Sequence, residues 1–293
     1  MVKIDKTEFG FIGYFNAMAS PCECLIETEN YQTALAITQI AADEAWRIEK
    51  KYSRYLKNNV CAQINQSNGA AIAIDQETFK LLDFANTCYE ISNGLFDLTS
   101  GVLRRVWHFN QNTELPSQKS VEELLPLIGW NLVSFDQKSV CLAPGTEIDF
   151  GGIGKEYAVD VAVQKIKEYK PDLSVVVNFG GDLRVTKKPK NKPKWNIGID
   201  SLLISKIEHS VSIGVGAVCT SGDTEKFILS NERRYSHILN PKTGWPAEGC
   251  PKTVTIIADQ CLQAGVLATL GMLMGAEAEA FLTQQNVQFH CQR

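Results

Sequence analysis

The sequence predicts an α+β fold, with mixed or antiparallel sheets against which helices pack. Three observations carry this. The first half holds two long stretches of helical periodicity, the second half is a series of short β-branched runs bounded by Gly, Pro or Asn, and no fixed-period repeat links them. At 293 residues the chain is one large domain or two intimate lobes, and it is read as a single domain, 1–293.

In chain order, 16–28 reads as a strand and Tyr31–Lys51 as a helix, with Ala34, Ile37, Ile40, Ala41 and Ala45 at helical spacing. Thr78–Asn93 repeats the helical pattern through Leu81, Leu82, Phe84 and Tyr89, and Gly94 ends it as a C′ glycine would. Residues 110–120 are polar and turn-rich, a loop by composition, and a short helix starts from Val121. Lys155–Tyr169 is helical, with Val159, Val163 and Ile166 on one side. Ser174–Asn178, Trp195–Ile199, Ser210–Ala217 and Val254–Ala258 read as strands. The basic, proline-broken segment Lys187–Lys194 reads as a solvated hairpin connection, since it lacks the aromatic interleaving of a nucleic-acid surface.

Composition narrows the function classes. A net charge of −4 gives no field that would recruit nucleic acid or an anionic membrane. No apolar run reaches the ~18 residues that cross a bilayer, so no membrane insertion is expected. The apolar patch Phe9–Ala19 is broken by Gly10, Gly13 and Asn16, the acids Asp5 and Glu8 offset the early lysines, and Cys22 follows Pro21 rather than a small-residue cleavage site. Neither a signal peptide nor a lipid anchor is expected, and a cytoplasmic location follows. The nine cysteines contain no C-x-x-C pair and no zinc spacing, so they read as reduced, partly buried thiols.

Polar and glycine residues concentrate in four places. Ile148–Lys155 puts Gly151, Gly152 and Gly154 between a strand and a helix, exposing backbone N–H groups where phosphate is bound well, with Lys155 as a cation and Asp149 as an acceptor. Its spacing is neither the Walker nor the dinucleotide pattern, and taken alone a plain strand-to-helix turn explains it as well. Asn178-Phe179-Gly180-Gly181-Asp182 and Cys219-Thr220-Ser221-Gly222-Asp223 follow apolar strands, and each singly is also readable as a polar turn. In Tyr235–Gly244, His237 stands just upstream of the turn Pro241–Gly244, aimed from a strand end into a cleft.

Taken together these segments resemble the ApbE family of FAD:protein FMN transferases over nearly the whole chain. Ala17-Met18-Ala19-Ser20 stands for the family's A-M-G-T, followed by Ser53-Arg54-Tyr55 and by Asn93-Gly94-Leu95-Phe96-Asp97-Leu98-Thr99 for G-A-F-D-x-T. Asp149–Lys155 matches D-x-G-G-x-x-K, Asn178–Asp182 the G-G-D, Thr220–Asp223 the T-S-G-D, and His237–Gly244 the H-x-x-D-P-x-T-G. The resemblance implies a flavin-transferase fold with FAD in a cleft between two lobes. It also implies transfer of FMN from FAD to a Thr or Ser of an acceptor protein, assisted by Mg²⁺, with AMP released. It puts Met18 and Tyr55 near the flavin or its linker, and Leu95, Phe96, Asp97 and Asp149 on FAD. Lys155 falls beside the pyrophosphate and His237 at the flavin end and reaction centre, as the catalytic residue.

For the metal, the resemblance implies the Gly152 carbonyl and the Thr269 hydroxyl. The family's A-D-A-x-x-T reads Ala264-Gly265-Val266-Leu267-Ala268-Thr269 here, so Gly265 replaces the carboxylate and weakened Mg²⁺ binding is expected. Thr269 lies four residues on, on the same helix face, so an Asp restored at 265 is expected to point toward the metal. Glu156 for the family's Gly after the Lys, and Asn240 for its Asp, are milder departures. Two alternatives stay in view: an FAD-binding protein with little transferase activity, which the Gly265 departure favours, and an FAD pyrophosphatase yielding FMN and AMP, in which water replaces the acceptor hydroxyl.

Overall fold

The computed structural model describes residues 1–109, 114–199, 209–223, 226–230 and 233–293. Its helices are α1 (Tyr31–Tyr52), α2 (Val60–Asn65), α3 (Gln76–Ile91), α4 (Gln118–Glu122), α5 (Gly154–Tyr169), α6 (Cys261–Leu273) and α7 (Ala278–Gln284). An eight-stranded sheet runs Lys3–Thr7, Gly10–Ala17, Ser20–Ile26, Val175–Phe179, Asp182–Val185, Gly216–Gly222, Thr253–Ala258, Gln288–Gln292, and every neighbour in it is antiparallel. Three smaller sheets accompany it among the described residues: Trp195–Ile199 with His209–Ile213, Phe227–Ser230 with Arg233–Ser236, and a three-stranded sheet of Ile72–Ala73, Ser139–Leu142 and Val133–Phe135.

Side chains alternate across a strand, so one strand can feed two cores. Val175, Val177 and Phe179 enter the main core with α1, α5 and α6, whereas Val176 joins Leu183, Val185, Val218 and Ile213 beneath the Trp195–Ile199 hairpin. Both faces are therefore covered there, which is why the segment reads as an unbroken apolar run. A third core gathers Leu103, Trp107 and Ile228 with Phe109, Tyr235, Leu239 and Trp245, and forms a smaller lobe beside the main one.

Helix ends follow local chemistry. Asn30 and Asp75 cap α1 and α3 by accepting from the amides of Thr33 and Thr78. Behind α3, the Gly94 amide donates to the Tyr89 carbonyl and the Asn93 amide to that of Glu90, a Schellman ending with Asn93 at the left-handed C′ position. Gly94 is thus one residue beyond the position the sequence reading gave it.

The expected strand 16–28 is two strands, Gly10–Ala17 and Ser20–Ile26. The chain reverses at Met18 and Ala19, both at positive φ (50° and 56°), and neither is the glycine that announces such a turn. Ser210–Ala217 is likewise divided, with His209–Ile213 in a two-stranded sheet and Gly216–Gly222 in the main one. The helix expected from Val121 begins at Gln118, capped by Ser117. The basic Lys187–Lys194 segment leads from the main sheet to the separate Trp195–Ile199 pair rather than closing a hairpin. Part of the expected loop at 110–120 lies outside the described residues.

Candidate active site

The antiparallel register brings three of the sequence motifs to one end of the large sheet. Ala17 faces Ser20, Cys22 faces Phe179, and Phe179 faces Asp182. Val218 faces Leu183, so Thr220–Asp223 continues past that same end. The Met18–Ala19 and Gly180–Gly181 turns are therefore neighbours, tied by the Gly180 amide donating to the Pro21 carbonyl at 3.0 Å. Gly180 has φ +59°, and a Cβ there would lie 2.6 Å from the Ser20 Cβ, so both conformation and space require glycine.

Into this end points the start of α5. Its N-cap position, Ile153, provides no side-chain hydrogen bond, so the first amides are free of a side-chain cap. Lys155 Nζ lies 2.7 Å from Asp182 Oδ2 and donates to the Gly180 carbonyl at 3.3 Å. Burial pushes the Lys155 ammonium down, but Asp182 and Glu156 outweigh it and hold the lysine charged. Glu156 is itself buried; desolvation first, then the Asp182 carboxylate, raises its pKa well above the usual range. Cys219 and Cys261 close the floor with their sulfurs 3.2 Å apart, both thiols free. α6 packs against α5 and against the Phe150–Gly152 turn, which brings the elements of Gly152 and Thr269 together. Among the described residues no three His, Cys, Asp or Glu side chains cluster as a metal site.

The structure places Asp149 immediately before the Phe150–Gly152 turn, where Oδ1 accepts from the Gly151 amide at 2.9 Å and Oδ2 pairs with Arg54. Arg54 donates to the Tyr55 hydroxyl at 2.9 Å and lies over its ring, leaving Tyr55 otherwise exposed. Asp97 is buried and caps the Leu98–Arg105 turn through the Thr99 amide and hydroxyl. Burial raises the Asp97 pKa despite those two bonds. Phe96 is buried with its ring edge beside Gly152, and Leu95 and Met18 pack half-buried against the main core. Asp149 and Asp97 thus each serve a backbone turn, a role their positions before Gly-Gly and Thr could have disclosed. Arg54 stood in the Ser53-Arg54-Tyr55 motif without a role, because its partner Asp149 is remote in the chain.

His237 follows the Arg233–Ser236 strand and belongs to the smaller lobe. Its Nδ1 is 3.0 Å from the Lys226 carbonyl, and Phe109 meets its ring edge-on at 6.2 Å. Burial lowers its pKa, only partly opposed by the Lys226 carbonyl and by Asp223, the last residue of the Thr220–Asp223 motif. Asp223 itself lies beyond the Gly216–Gly222 strand, where it pairs with Arg234 at 3.1 Å. The register thus gathers the Met18, Gly180, Lys155 and Thr220 motifs, whereas His237 stands in the smaller lobe.

A family model, the ApbE family, matches residues 18–291. The FAD:protein FMN transferase of Vibrio cholerae is 24% identical over 246 residues, covering 82% of this chain and 73% of its own. The FAD:protein FMN transferase of Chlamydia muridarum is 26% identical over 293 residues, with 92% and 90% covered. The crystal structure of the ApbE protein from Thermotoga maritima superposes with a TM-score of 0.88 at 28% identity, covering 99% of this chain and 94% of that one.

Proposed function

This chain belongs to the ApbE family, and we propose that it is an FAD:protein FMN transferase, moving FMN from FAD onto a Thr or Ser hydroxyl of an acceptor protein. One observation carries the reading: a charged Lys155 at the uncapped start of α5, beside the Gly180–Gly181 turn where backbone can approach a ligand closely. A lysine and free amides at a helix N-terminus suit a pyrophosphate, whose charge grows on the leaving side as the bond breaks.

In the reaction the acceptor oxygen bonds to the FMN phosphorus. The bond from that phosphorus to the bridging oxygen breaks, and AMP departs with that oxygen. The hydroxyl proton must go to a base, and His237 is the candidate. With Nδ1 donating to the Lys226 carbonyl, Nε2 carries the free lone pair, and burial keeps the ring neutral. Met18, Tyr55, Leu95, Phe96, Asp97 and Asp149 are proposed to line the FAD cleft, with Arg54 holding Asp149 and Tyr55. The Gly152 carbonyl and Thr269 hydroxyl are hard oxygen donors, a set that suits Mg²⁺, which when bound would offset phosphate charge. The nine free thiols suit a reducing compartment, consistent with a cytoplasmic protein, and no helix among the described residues is long and apolar enough to cross a membrane.

The test is incubation with FAD, Mg²⁺ and a threonine-bearing acceptor peptide. FMN-sized mass gain on the peptide together with AMP is the expected result. Free FMN without peptide modification would replace the transferase by a pyrophosphatase, and FAD bound but intact would replace it by a carrier.

A further inference from the structure

Gly265 lies on the face of α6 turned toward α5. A Cβ there would fall 2.5 Å from Glu156 Cγ, 3.0 Å from its Oε1 and 3.1 Å from its Cδ. The volume that any side chain at 265 would enter therefore already holds the Glu156 carboxylate. Glu156 is 8% exposed and its Oε2 is buried without a hydrogen-bond partner. The nearby cation, Lys155, is paired with Asp182 at 2.7 Å. Two carboxyl groups share one ammonium in the pocket, and a buried carboxyl oxygen without a partner is costly.

Resting on the transferase reading, we propose that Glu156 supplies the anionic protein ligand of the divalent cation from α5, replacing the carboxylate that α6 lacks at Gly265. The departures at 156 and 265 are then a single exchange: the carboxylate has moved to the facing helix, and glycine makes room for it. Thr269 lies one turn beyond Gly265, so it shares the α6 face that Glu156 meets across the packed helices. Oxygen ligands of this kind suit Mg²⁺ or Mn²⁺. The expectation that Asp at 265 would by itself strengthen the metal site is corrected by this geometry, because its Cβ alone would collide with Glu156.

Mn²⁺ binding, followed by loss of the free-ion EPR signal with and without FAD, tests the exchange without reference to turnover. Even residues behind the ligands are worth about 10–100-fold in metal affinity, so Glu156→Gln should weaken Mn²⁺ at least tenfold. FAD affinity in cation-free buffer should be unchanged by that substitution. Gly265→Asp alone should lower the melting temperature, and the double exchange E156G/G265D should regain both stability and Mn²⁺ affinity. The proposal is overturned if the parent binds no Mn²⁺, if Glu156→Gln binds it as the parent does, or if the double exchange stays as weak as Glu156→Gln. Should Glu156→Gln fail to fold, the double exchange against Gly265→Asp decides by the same criterion. Failure of the parent to bind FAD would instead sink the transferase reading, and the Mn²⁺ titration without FAD would still judge Glu156.

Discussion

In the role proposed for His237, what matters is which ring nitrogen carries the proton. The Lys226 carbonyl 3.0 Å from Nδ1 fixes the proton there and leaves Nε2 as acceptor. His237→Ala should lower kcat by about 10²–10⁴ while FAD affinity stays nearly constant. Equal losses in both would make it an orienting residue. Protonation would remove the free lone pair, so the rate should rise with pH through the ring's pKa. Because burial depresses that pKa, the acid limb of kcat should have its midpoint below the ordinary histidine value of about 6.5. A midpoint above it would contradict a buried, neutral base. His237 was legible as a candidate because a histidine before a proline turn is rare in a chain with four histidines. The link between Glu156 and Gly265 was not, since each looks tolerable alone and only the packing of α5 on α6 shows that they share one volume.

Between elements, the seating of α1 on the sheet depends on Gly13. A Cβ there would come within 1.9 Å of Thr38 Oγ1, and Thr38 is buried in α1 with its hydroxyl bonded to the Ala34 carbonyl. A β-branched helical residue has little rotamer freedom, so the helix would have to lift. Gly13→Ala should cost about 1–3 kcal/mol in urea unfolding, and adding Thr38→Ala should recover part of it. Additive losses would show that the two positions do not compete for space. The helices were legible to within a few residues because their apolar spacing and caps are local. Strand boundaries were less so. The Gly10–Ala17 strand carries glycines at both Gly10 and Gly13, required by packing and by a positive φ, and these made it read as an interrupted apolar patch.

Across the whole molecule, the eight strands of the main sheet lie in space in the same order as in the chain. Helices and smaller sheets are excursions that return to the open edge, and no strand has to be inserted between two already paired. The sheet can accordingly grow in one direction as the polypeptide leaves the ribosome, each arriving segment finding its partner already made. The exposed face of this process is always the newest strand. Until Gln288–Gln292 arrives, Thr253–Ala258 presents unpaired amides and carbonyls next to an apolar core. Deleting residues 288–293 should therefore shift the protein toward self-association, seen as higher oligomers in size-exclusion chromatography and lower soluble yield. A monodisperse deletion variant with an unchanged melting temperature would show that the last strand is not what protects that edge. The same order leaves the nascent sheet vulnerable late, because the strand that covers Thr253–Ala258 comes after every other strand of the sheet in chain order.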